Sequence, residues 1–419
     1  MRNEERRRRV VVTGIGAVTP LGHGADGLWR GAIAGRSAVR RITRFDPSPF
    51  RSHLAAEIDD FDPADWFDSR IARRLDRFAQ FGVASAWQAV SDADIDLERM
   101  DRTRTGVSLG SALGGVAYGE EQHTAYLESG VRAVGPTLAI AVYGGASGAN
   151  IAIQLGLRGP NLANANSCAS GAMAVGQAFR TIQSGEADLM LAGGVEAPLA
   201  PLTFGAFSLI KAMSCRNDDP PAASRPFDRD RDGFVMGEGA ALLVLEERQA
   251  ACRRGARIYA ELCGFGQSND AFHMTAPRPD GSDATRAIEL ALQDAGTPAA
   301  RLGYVNAHAT GTPLGDRAES CAIRRALGES GGTVPVSGTK GAFGHALGAS
   351  GAIEAAVTAL ALDRARLPGT VNLCSPDPAC DLNLLSPDGL AAQVDYALSC
   401  SFGFGGSNAA LLLGRHVED

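Results

Sequence analysis

The chain lacks paired cysteines, although it contains eight of them. None stands in a CxxC pair, so the spacing argues against a zinc site. In a cytosolic protein such scattered cysteines stay reduced, and we expect most of them to be packing residues. The question is whether one is reactive among Cys168, Cys215, Cys252, Cys263, Cys321, Cys374, Cys380 and Cys400.

A long apolar run is also missing. The basic run from Arg6 to Arg9 is followed only by a short apolar strand that glycines interrupt. This pattern offers neither the apolar region of a signal peptide nor an 18-residue membrane span. We therefore expect a solvated basic tail, no membrane association and a cytoplasmic protein.

Positive charge is not in excess, since the formal net charge is −7. A nucleic-acid-binding protein needs a basic face, so this class is disfavoured. No phosphate-binding Walker loop is present. Gly14 and Gly16 follow a predicted strand, but Thr19 and Pro20 stand where a dinucleotide site needs a third glycine and a helix start. We interpret this segment as a strand-end turn.

The chain does contain alternating strand and helix patterns, with 51 glycines for the turns between them. Buried strands such as 9–18, 187–197 and 237–247 alternate with amphipathic helices such as 77–93, which predicts an α/β class. Near residue 257 the pattern restarts, and no low-complexity linker separates the two parts. We predict two related halves, 1–257 and 258–419, that share one packed body.

Cys168 lies in the stretch 161–182, which has the pattern of a strand, a tight turn and a helix. If the helix begins at or just after Cys168, free backbone N–H groups and the helix dipole lower the pKa of its thiol. Its neighbours are small, so a bound carbonyl can approach closely. Taken alone, the pattern is also typical of a buried structural cysteine, which is the alternative.

Two histidines follow in similar surroundings. His308 ends a buried strand, and His345 precedes a helix, with Lys340 five residues earlier. Each histidine alone is more typical of a structural residue. Together with Cys168 they occupy three junctions of the kind at which α/β folds place their sites. A nucleophilic cysteine near imidazoles indicates acyl transfer.

Four motifs in order then resemble one family. They are "NSCASGAM" around Cys168, "VNAHATGTP", "TKGAFGH" and "SFGFGGSN". The segments "RPFDRDRDGFVMGEGA" and "NDAFHMTAPRPDG" add to the likeness, which covers nearly the whole chain. The sequence resembles the condensing enzymes of the thiolase superfamily, and in particular the β-ketoacyl-acyl carrier protein synthase II type of ketosynthase.

This resemblance implies a duplicated five-layer αβαβα fold, a homodimer and an acyl carrier protein as partner. It implies no cofactor in the chain itself, because phosphopantetheine arrives on the carrier protein. Cys168 would hold the acyl chain, and the N–H groups of Cys168 and Phe404 would bind the oxyanion. Phe404 would also gate the site. His308 and His345 would donate from Nε2 to the enolate oxygen.

Further roles are implied for residues around this centre. Lys340 would orient His345 together with Glu319, with a structural ion pair as the alternative. Thr310 and Thr312 would bind the pantetheine arm, with a loop-turn role as the alternative.

The acyl pocket is implied at Leu113, Leu138 and Phe207, with Leu138 supplied by the partner subunit; ordinary packing is the alternative. The basic cluster Arg70, Arg73 and Arg74 would dock the acidic carrier protein, unless it is only a solvated helix face.

Three residues, Asn306, Glu354 and Ser401, match positions that hold a structural cation in the family. Their oxygens could instead bond only to the backbone. We predict no catalytic metal.

The sequence departs from the family at a few positions. Asn166 and Ser167 stand where Thr and Ala are more usual, and Ala309 replaces Gly. Thr137 and Leu138 replace bulkier aromatic residues. These departures leave the substrate open between fatty acid synthesis and a specialised polyketide or polyene pathway.

The sequence bears on three other hypotheses. The chain could be the ketosynthase subunit of a heterodimer with a chain-length factor. A non-catalytic chain-length partner lacks the nucleophile, whereas this chain has Cys168. A degradative thiolase uses a second cysteine near the C-terminal glycine turn, and "SFGFGGSN" contains none, with Cys400 just before it.

Overall fold

The computed structural model describes residues 7–417. Its strands are β1 (Val10–Thr19), β2 (Gly22–His23), β3 (Arg40–Arg41), β4 (Leu54–Ala56), β5 (Thr105–Gly110), β6 (Asn161–Asn164), β7 (Leu189–Glu196), β8 (Met236–Gly237), β9 (Gly239–Glu247), β10 (Ala260–Asn269), β11 (Leu302–Asn306), β12 (Pro335–Ser337), β13 (Arg366–Leu367), β14 (Asn383–Leu384), β15 (Leu390–Ala391), β16 (Tyr396–Gly403) and β17 (Ser407–Gly414). Its α-helices are α1 (Gly24–Ala32), α2 (Ser69–Ala72), α3 (Arg77–Asp92), α4 (Val116–Ser129), α5 (Leu138–Ala141), α6 (Ala146–Leu155), α7 (Ser170–Gln183), α8 (Pro201–Leu209), α9 (Arg248–Arg253), α10 (Ser282–Ala295), α11 (Pro313–Leu327), α12 (Lys340–Phe343) and α13 (Ser350–Arg364).

The main sheet consists of two half-sheets that share the same pattern of strand pairing. One half runs in the order β6-β5-β7-β9-β1, and the other in the order β12-β11-β16-β17-β10. In each half the first two pairings are parallel and the next two are antiparallel. A short antiparallel pairing of Val10–Val12 with Ala260–Leu262 joins the two halves. The predicted internal duplication is therefore confirmed.

The layers follow from the helices that pack on each half-sheet. Helices α3 and α6 cover the outer face of the first half, and α10 and α11 cover the second. Helices α7 and α13 lie between the half-sheets and contact each other. Both central helices are apolar on nearly all sides, as burial between two sheets requires. This arrangement confirms the predicted α/β five-layer αβαβα fold.

The two central helices cross at small residues. A Cβ atom on Gly171 would lie 2.8 Å from the carbonyl oxygen of Gly348 and 2.9 Å from the nitrogen of Ala352. A Cβ atom on Gly351 would lie 2.8 Å from the nitrogen of Ala172. Glycine at both positions lets the starts of α7 and α13 come together.

The predicted division between residues 257 and 258 lies between α9 and β10, and it stays a prediction. The basic N-terminal run is solvent-exposed at Arg7, whose side chain is 69% exposed. Within the described part of that run, Arg7 pairs with Asp294 and Arg8 with Asp188, whereas Arg6 lies outside the described residues. Across residues 7–417, the structure contains no helix with the length and apolar character needed to span a membrane.

Candidate active site

Cys168 lies in a 3₁₀ turn, Ser167–Ala169, between β6 and α7. Ser167 has a φ of +53°, in the left-handed region, so the chain turns sharply just before the cysteine. Cys168 is buried, with 7% of the residue exposed. The predicted order of strand, tight turn and helix is present, with the helix starting two residues after Cys168.

Two imidazoles converge on the cysteine sulfur. The Nε2 atom of His345 lies 3.1 Å from Cys168 Sγ. His308 lies two residues after the end of β11, and its ring centroid is 5.4 Å from that of His345, at nearly a right angle. The sulfur and one nitrogen of each ring all lie within 4.8 Å of one another. The structure thus brings together three residues that are far apart in sequence.

Burial sets the ionisation of this group. The pKa values of His308 and His345 are held well below the usual histidine value, because burial disfavours the imidazolium and Lys340 adds positive charge nearby. Both rings are therefore neutral at pH 7. Burial raises the pKa of the Cys168 thiol, while Ser167, Lys340 and the N–H of Phe404 act in the opposite direction. The expected lowering at a helix start is outweighed by desolvation.

Lys340 contacts a different histidine from the one expected. Its ammonium lies 3.3 Å from Nδ1 of His308, donates to the carbonyl of His308 and pairs with Glu354. Glu319 instead accepts the backbone N–H groups of His308 and Ala309. The prediction that Lys340 and Glu319 orient His345, or form an ion pair, is wrong; both groups act on the turn at His308.

Ala309, which stands where the family more often has glycine, lies in a left-handed turn. Ala309 has a φ of +41°, a conformation that glycine adopts with less strain. Glu319 anchors this turn from within the core, and burial raises the pKa of Glu319 to about 8. The turn holds His308 near the carboxyl end of β11.

The glycine turn after β16 approaches the cysteine backbone. A Cβ atom on Gly403 would lie 3.1 Å from the nitrogen of Cys168, so only glycine fits there without displacement. The N–H of Phe404 interacts with the Cys168 side chain. Gly405 and Gly406 have φ values of +77° and +76°. Two backbone N–H groups, those of Cys168 and Phe404, are thereby placed beside the sulfur.

A cavity of about 420 Å³ opens from this group to the surface. Thr310 and Thr312 line it, and their hydroxyl oxygens are 3.0 Å apart. Phe207 lines it as well and stacks on Phe404, with ring centroids 6.4 Å apart and 17° between the planes. Cys168, His308 and His345 line the same cavity, so a ligand that enters it reaches the sulfur and both imidazoles.

Comparison with known proteins assigns the family. Residues 7–251 match the model of the beta-ketoacyl synthase N-terminal domain, and residues 259–374 match that of the C-terminal domain. The chain belongs to the beta-ketoacyl synthase family. It is 44% identical to 3-oxoacyl-[acyl-carrier-protein] synthase 2 of Synechocystis sp., over 98% of this chain and 99% of that protein.

Solved structures of ketosynthases share the fold of this family member. One is a type II polyketide synthase acyl-carrier protein in complex with its hexaketide-bound ketosynthase, with a TM-score of 0.91, 33% identity and coverage of 99% and 100% of the two chains. Another is the ishigamide ketosynthase/chain length factor, with a TM-score of 0.91, 35% identity and coverage of 98% and 100%.

Other predicted residues of this beta-ketoacyl synthase lie outside the cavity. Leu113 packs against the apolar cluster around Cys168. Leu138 begins α5 and lies apart from both the cavity lining and that cluster, so no contact within residues 7–417 brings it to the sulfur. The exposed side chains of Arg70, Arg73 and Arg74 lie on and just after α2.

The proposed cation residues of this synthase lie together behind Lys340. Asn306 donates to the carbonyl of Glu354. Glu354 Oε2 and Ser401 Oγ are buried and have no hydrogen-bond partner among the described residues, and Ser401 lies beside Gly351, one turn before Glu354. The Lys340 ammonium already balances the charge of Glu354, and the side-chain oxygen of Asn306 accepts a hydrogen bond from Thr339. The cation site therefore stays a prediction.

The Cys–His–His group of this synthase does not suit a metal ion. A metal-bound histidine carries its proton on the nitrogen away from the metal and donates it to an acceptor. Lys340 contacts Nδ1 of His308, and an ammonium has no acceptor to offer. The Nε2 atom of His308 therefore keeps its proton.

Sequence reasoning missed several residues of this synthase. Ser350 reaches His345 from the start of α13, and Lys211 and Arg278 lie at the rim of the cavity. A serine five residues after a candidate histidine, at a predicted helix start, was the available signal for Ser350. Nothing local marked Lys211 or Arg278, because their positions depend on how distant loops meet.

Proposed function

We propose that this chain catalyses the decarboxylative condensation of a Cys168-bound acyl chain with malonyl-acyl carrier protein, which yields a 3-oxoacyl-acyl carrier protein. The observation that carries the proposal is the approach of Cys168 Sγ and the two imidazoles within 4.8 Å, in the lining of one cavity. The curated relative named for 3-oxoacyl-[acyl-carrier-protein] synthesis supports the same chemistry.

The first stage is transfer of the acyl group to Cys168. The Sγ–carbon bond forms, the bond from that carbon to the pantetheine sulfur breaks, and the cysteine proton leaves on the pantetheine thiol. The oxyanion that forms in between lies beside the N–H groups of Cys168 and Phe404. Phe404 moves with the glycine turn when the acyl chain enters past Phe207.

The second stage uses the two histidines. Malonyl thioester loses CO₂, and the electron pair of the broken carbon–carbon bond becomes an enolate. His308 and His345 donate from Nε2 to its oxygen, and being neutral they do so without losing a proton. The carbanion then attacks the Cys168 thioester, a carbon–carbon bond forms, and the released thiolate takes up a proton.

The carrier protein brings the phosphopantetheine arm, so the chain needs no cofactor of its own. Thr310 and Thr312 line the route of that arm. An acidic carrier protein would dock on positive charge, for which Arg70, Arg73 and Arg74 are the predicted cluster. Lys211 and Arg278, which are exposed at the cavity rim, extend the positive charge to the entrance itself.

A homodimer is part of the proposal. Strand β6 is the edge of its half-sheet and has a row of free backbone groups. Large apolar side chains are exposed on the adjoining α5 and α6, among them Ile140 at 66% and Ile153 at 72%. Such a surface is typical of an interface. Leu138 on α5 belongs to this face and would reach the partner's acyl pocket.

The alternative partner is a chain-length factor. It is supported by the likeness to the ishigamide ketosynthase/chain length factor and by Thr137 and Leu138, which are smaller than aromatic residues. In that case the substrate belongs to a specialised polyketide or polyene pathway rather than to fatty acid synthesis. The division into halves 1–257 and 258–419 and a cytoplasmic location also remain proposals.

Intact-mass measurement tests the function directly. The purified chain is incubated with a panel of acyl-carrier proteins, and the mass of each acyl group should appear on wild type but not on Cys168→Ala. Malonyl-carrier protein should then release the loaded chain as an extended product. A Cys168→Ala variant that condenses at the wild-type rate would refute the proposal.

A further inference from the structure

Ser350 makes a buried contact with His345 that the reaction above does not yet use. Its Oγ atom lies 2.9 Å from Nδ1 of His345, and both residues are buried. The 3₁₀ turn Leu347–Ala349, with a φ of +42° at Leu347, folds the chain back between them. Ser350 is the first residue of α13, so its hydroxyl is held at a fixed point of the core.

The direction of this hydrogen bond follows from what surrounds the hydroxyl. Ser350 Oγ has no polar partner other than Nδ1 of His345 among the described contacts. A neutral imidazole has one donor nitrogen and one acceptor nitrogen. If Nδ1 carried the proton, the hydroxyl hydrogen of Ser350 would be buried without an acceptor, which is unfavourable. The hydroxyl therefore donates, and Nδ1 accepts.

The ring of His308 also accepts a hydrogen bond at Nδ1, and a separate contact shows this. Its Nδ1 faces the ammonium of Lys340 at 3.3 Å, and an ammonium only donates. Both rings then carry their proton on Nε2. The Nε2 atom of His345 is the one that lies 3.1 Å from Cys168 Sγ.

We propose that Ser350 is a positioning residue that keeps Nδ1 of His345 as an acceptor, so that Nε2 donates to the reacting atoms. The role of Ser350 in the reaction rests on the proposed function. In that reaction His345 donates a hydrogen bond first to the cysteine sulfur and then to the enolate oxygen. In the resting enzyme Nε2 of His345 already carries a proton, so it does not take one from Cys168. Lys340 and Ser350 thus perform the same task for the two histidines.

The tautomer is measured by NMR on the chain labelled with ¹⁵N-histidine, with His345→Gln to identify the signals of that ring. In wild type we expect Nε2 of His345 to be protonated. In Ser350→Ala that preference should be lost, and Ser350→Thr, which keeps a hydroxyl, should restore it. Ser85→Ala removes another buried serine hydroxyl, one without a described partner, and should leave the tautomer unchanged.

Kinetics supply the second measurement. Ser350→Ala should decarboxylate malonyl-carrier protein about tenfold more slowly, the rate equivalent of one lost hydrogen bond, and Ser350→Thr should recover most of it. A wild-type ring protonated on Nδ1, or a Ser350→Ala variant with unchanged tautomer and rate, overturns the inference. If wild type itself decarboxylates nothing, the proposed function fails, while the tautomer still decides the role of Ser350.

Discussion

At the scale of single residues, the sulfur of Cys168 is surrounded by polar groups. His345 lies 3.1 Å away through Nε2, Ser167 lies 3.7 Å away through its hydroxyl, and the N–H of Phe404 is adjacent. Ser167, the charge of Lys340 and the N–H of Phe404 oppose the desolvation that raises the pKa of the thiol. Reactivity at this cysteine therefore depends on neighbours that stabilise the thiolate in a dry site.

Ser167→Ala tests one of these donors. The Ser167 hydroxyl lowers the pKa of Cys168, so its removal should raise that pKa and shift the pH profile of alkylation by iodoacetamide to higher pH. Alanine keeps the Cβ atom, so the strained φ of this position is the same in both chains. Ser147→Ala, another buried serine without a described partner, is the control. An unshifted profile would show that the 3.7 Å contact has no effect on the thiol.

His308→Ala separates the two stages of the reaction. Cys168 should still take up an acyl group, because His308 contacts neither the oxyanion position nor the pantetheine sulfur in the proposed first stage. Decarboxylation should fall about 100-fold or more, as for the loss of one oxyanion donor. Intact mass follows the first stage, and CO₂ release follows the second. Loss of acylation would instead make His308 the base that activates Cys168.

Sequence alone located the three residues that meet at the candidate site, but not all of their partners. Cys168, His308 and His345 stand in short motifs, so their types and surroundings could be recognised. Lys340 was assigned to His345, its neighbour along the chain, whereas in the fold it contacts His308, 32 residues away. Such pairing depends on how α12 meets the end of β11, and no local pattern encodes that.

At the scale of elements, the crossing of α7 and α13 positions the site. Each helix follows a 3₁₀ turn and begins with the same three residues, Ser-Gly-Ala, at 170–172 and 350–352. Cys168 lies on the turn before one helix, and His345 just before the turn of the other. The distance between nucleophile and imidazole is thus set by how closely the two helices approach.

Gly171→Ala tests this approach. The added Cβ atom would lie 2.8 Å from a backbone oxygen and 2.9 Å from a backbone nitrogen of the other half, so the helices must separate. We expect a loss of about 1–3 kcal/mol in the free energy of unfolding, measured with urea, and slower acylation. Gly119→Ala in α4, where the new atom would meet only a valine methyl at 3.6 Å, should cost nothing.

Element types and order could be predicted, because strand and helix periodicities are clear in both halves. The predicted strand 9–18 corresponds to β1, the predicted strand 187–197 to β7, and the predicted helix 77–93 to α3. The joining of the halves through Val10–Val12 and Ala260–Leu262 could not be predicted. It arises from pairing between strands about 250 residues apart, which periodicity does not specify.

At the scale of the whole molecule, the predicted homodimer is open to a direct measurement. Sedimentation should give a mass twice the 43.5 kDa of one chain. Ile153→Asp, on the exposed apolar face of α6, should shift the protein towards monomer, because a charge would be buried at the interface. Leu390→Asp, an exposed apolar position on β15, should not. A wild-type chain that is monomeric alone and dimerises only with a chain-length factor would favour the heterodimer.

The crossing of α7 and α13 also determines how the molecule opens. The backbone amides of α7 and α13 are enclosed by both half-sheets, so solvent reaches them only when the two halves of the molecule separate. We expect hydrogen exchange to be slowest in these two helices and to proceed there by global unfolding, whereas the exposed segment 271–275 exchanges by local fluctuations. On heating, loss of acylation and loss of folded structure should then share a single midpoint.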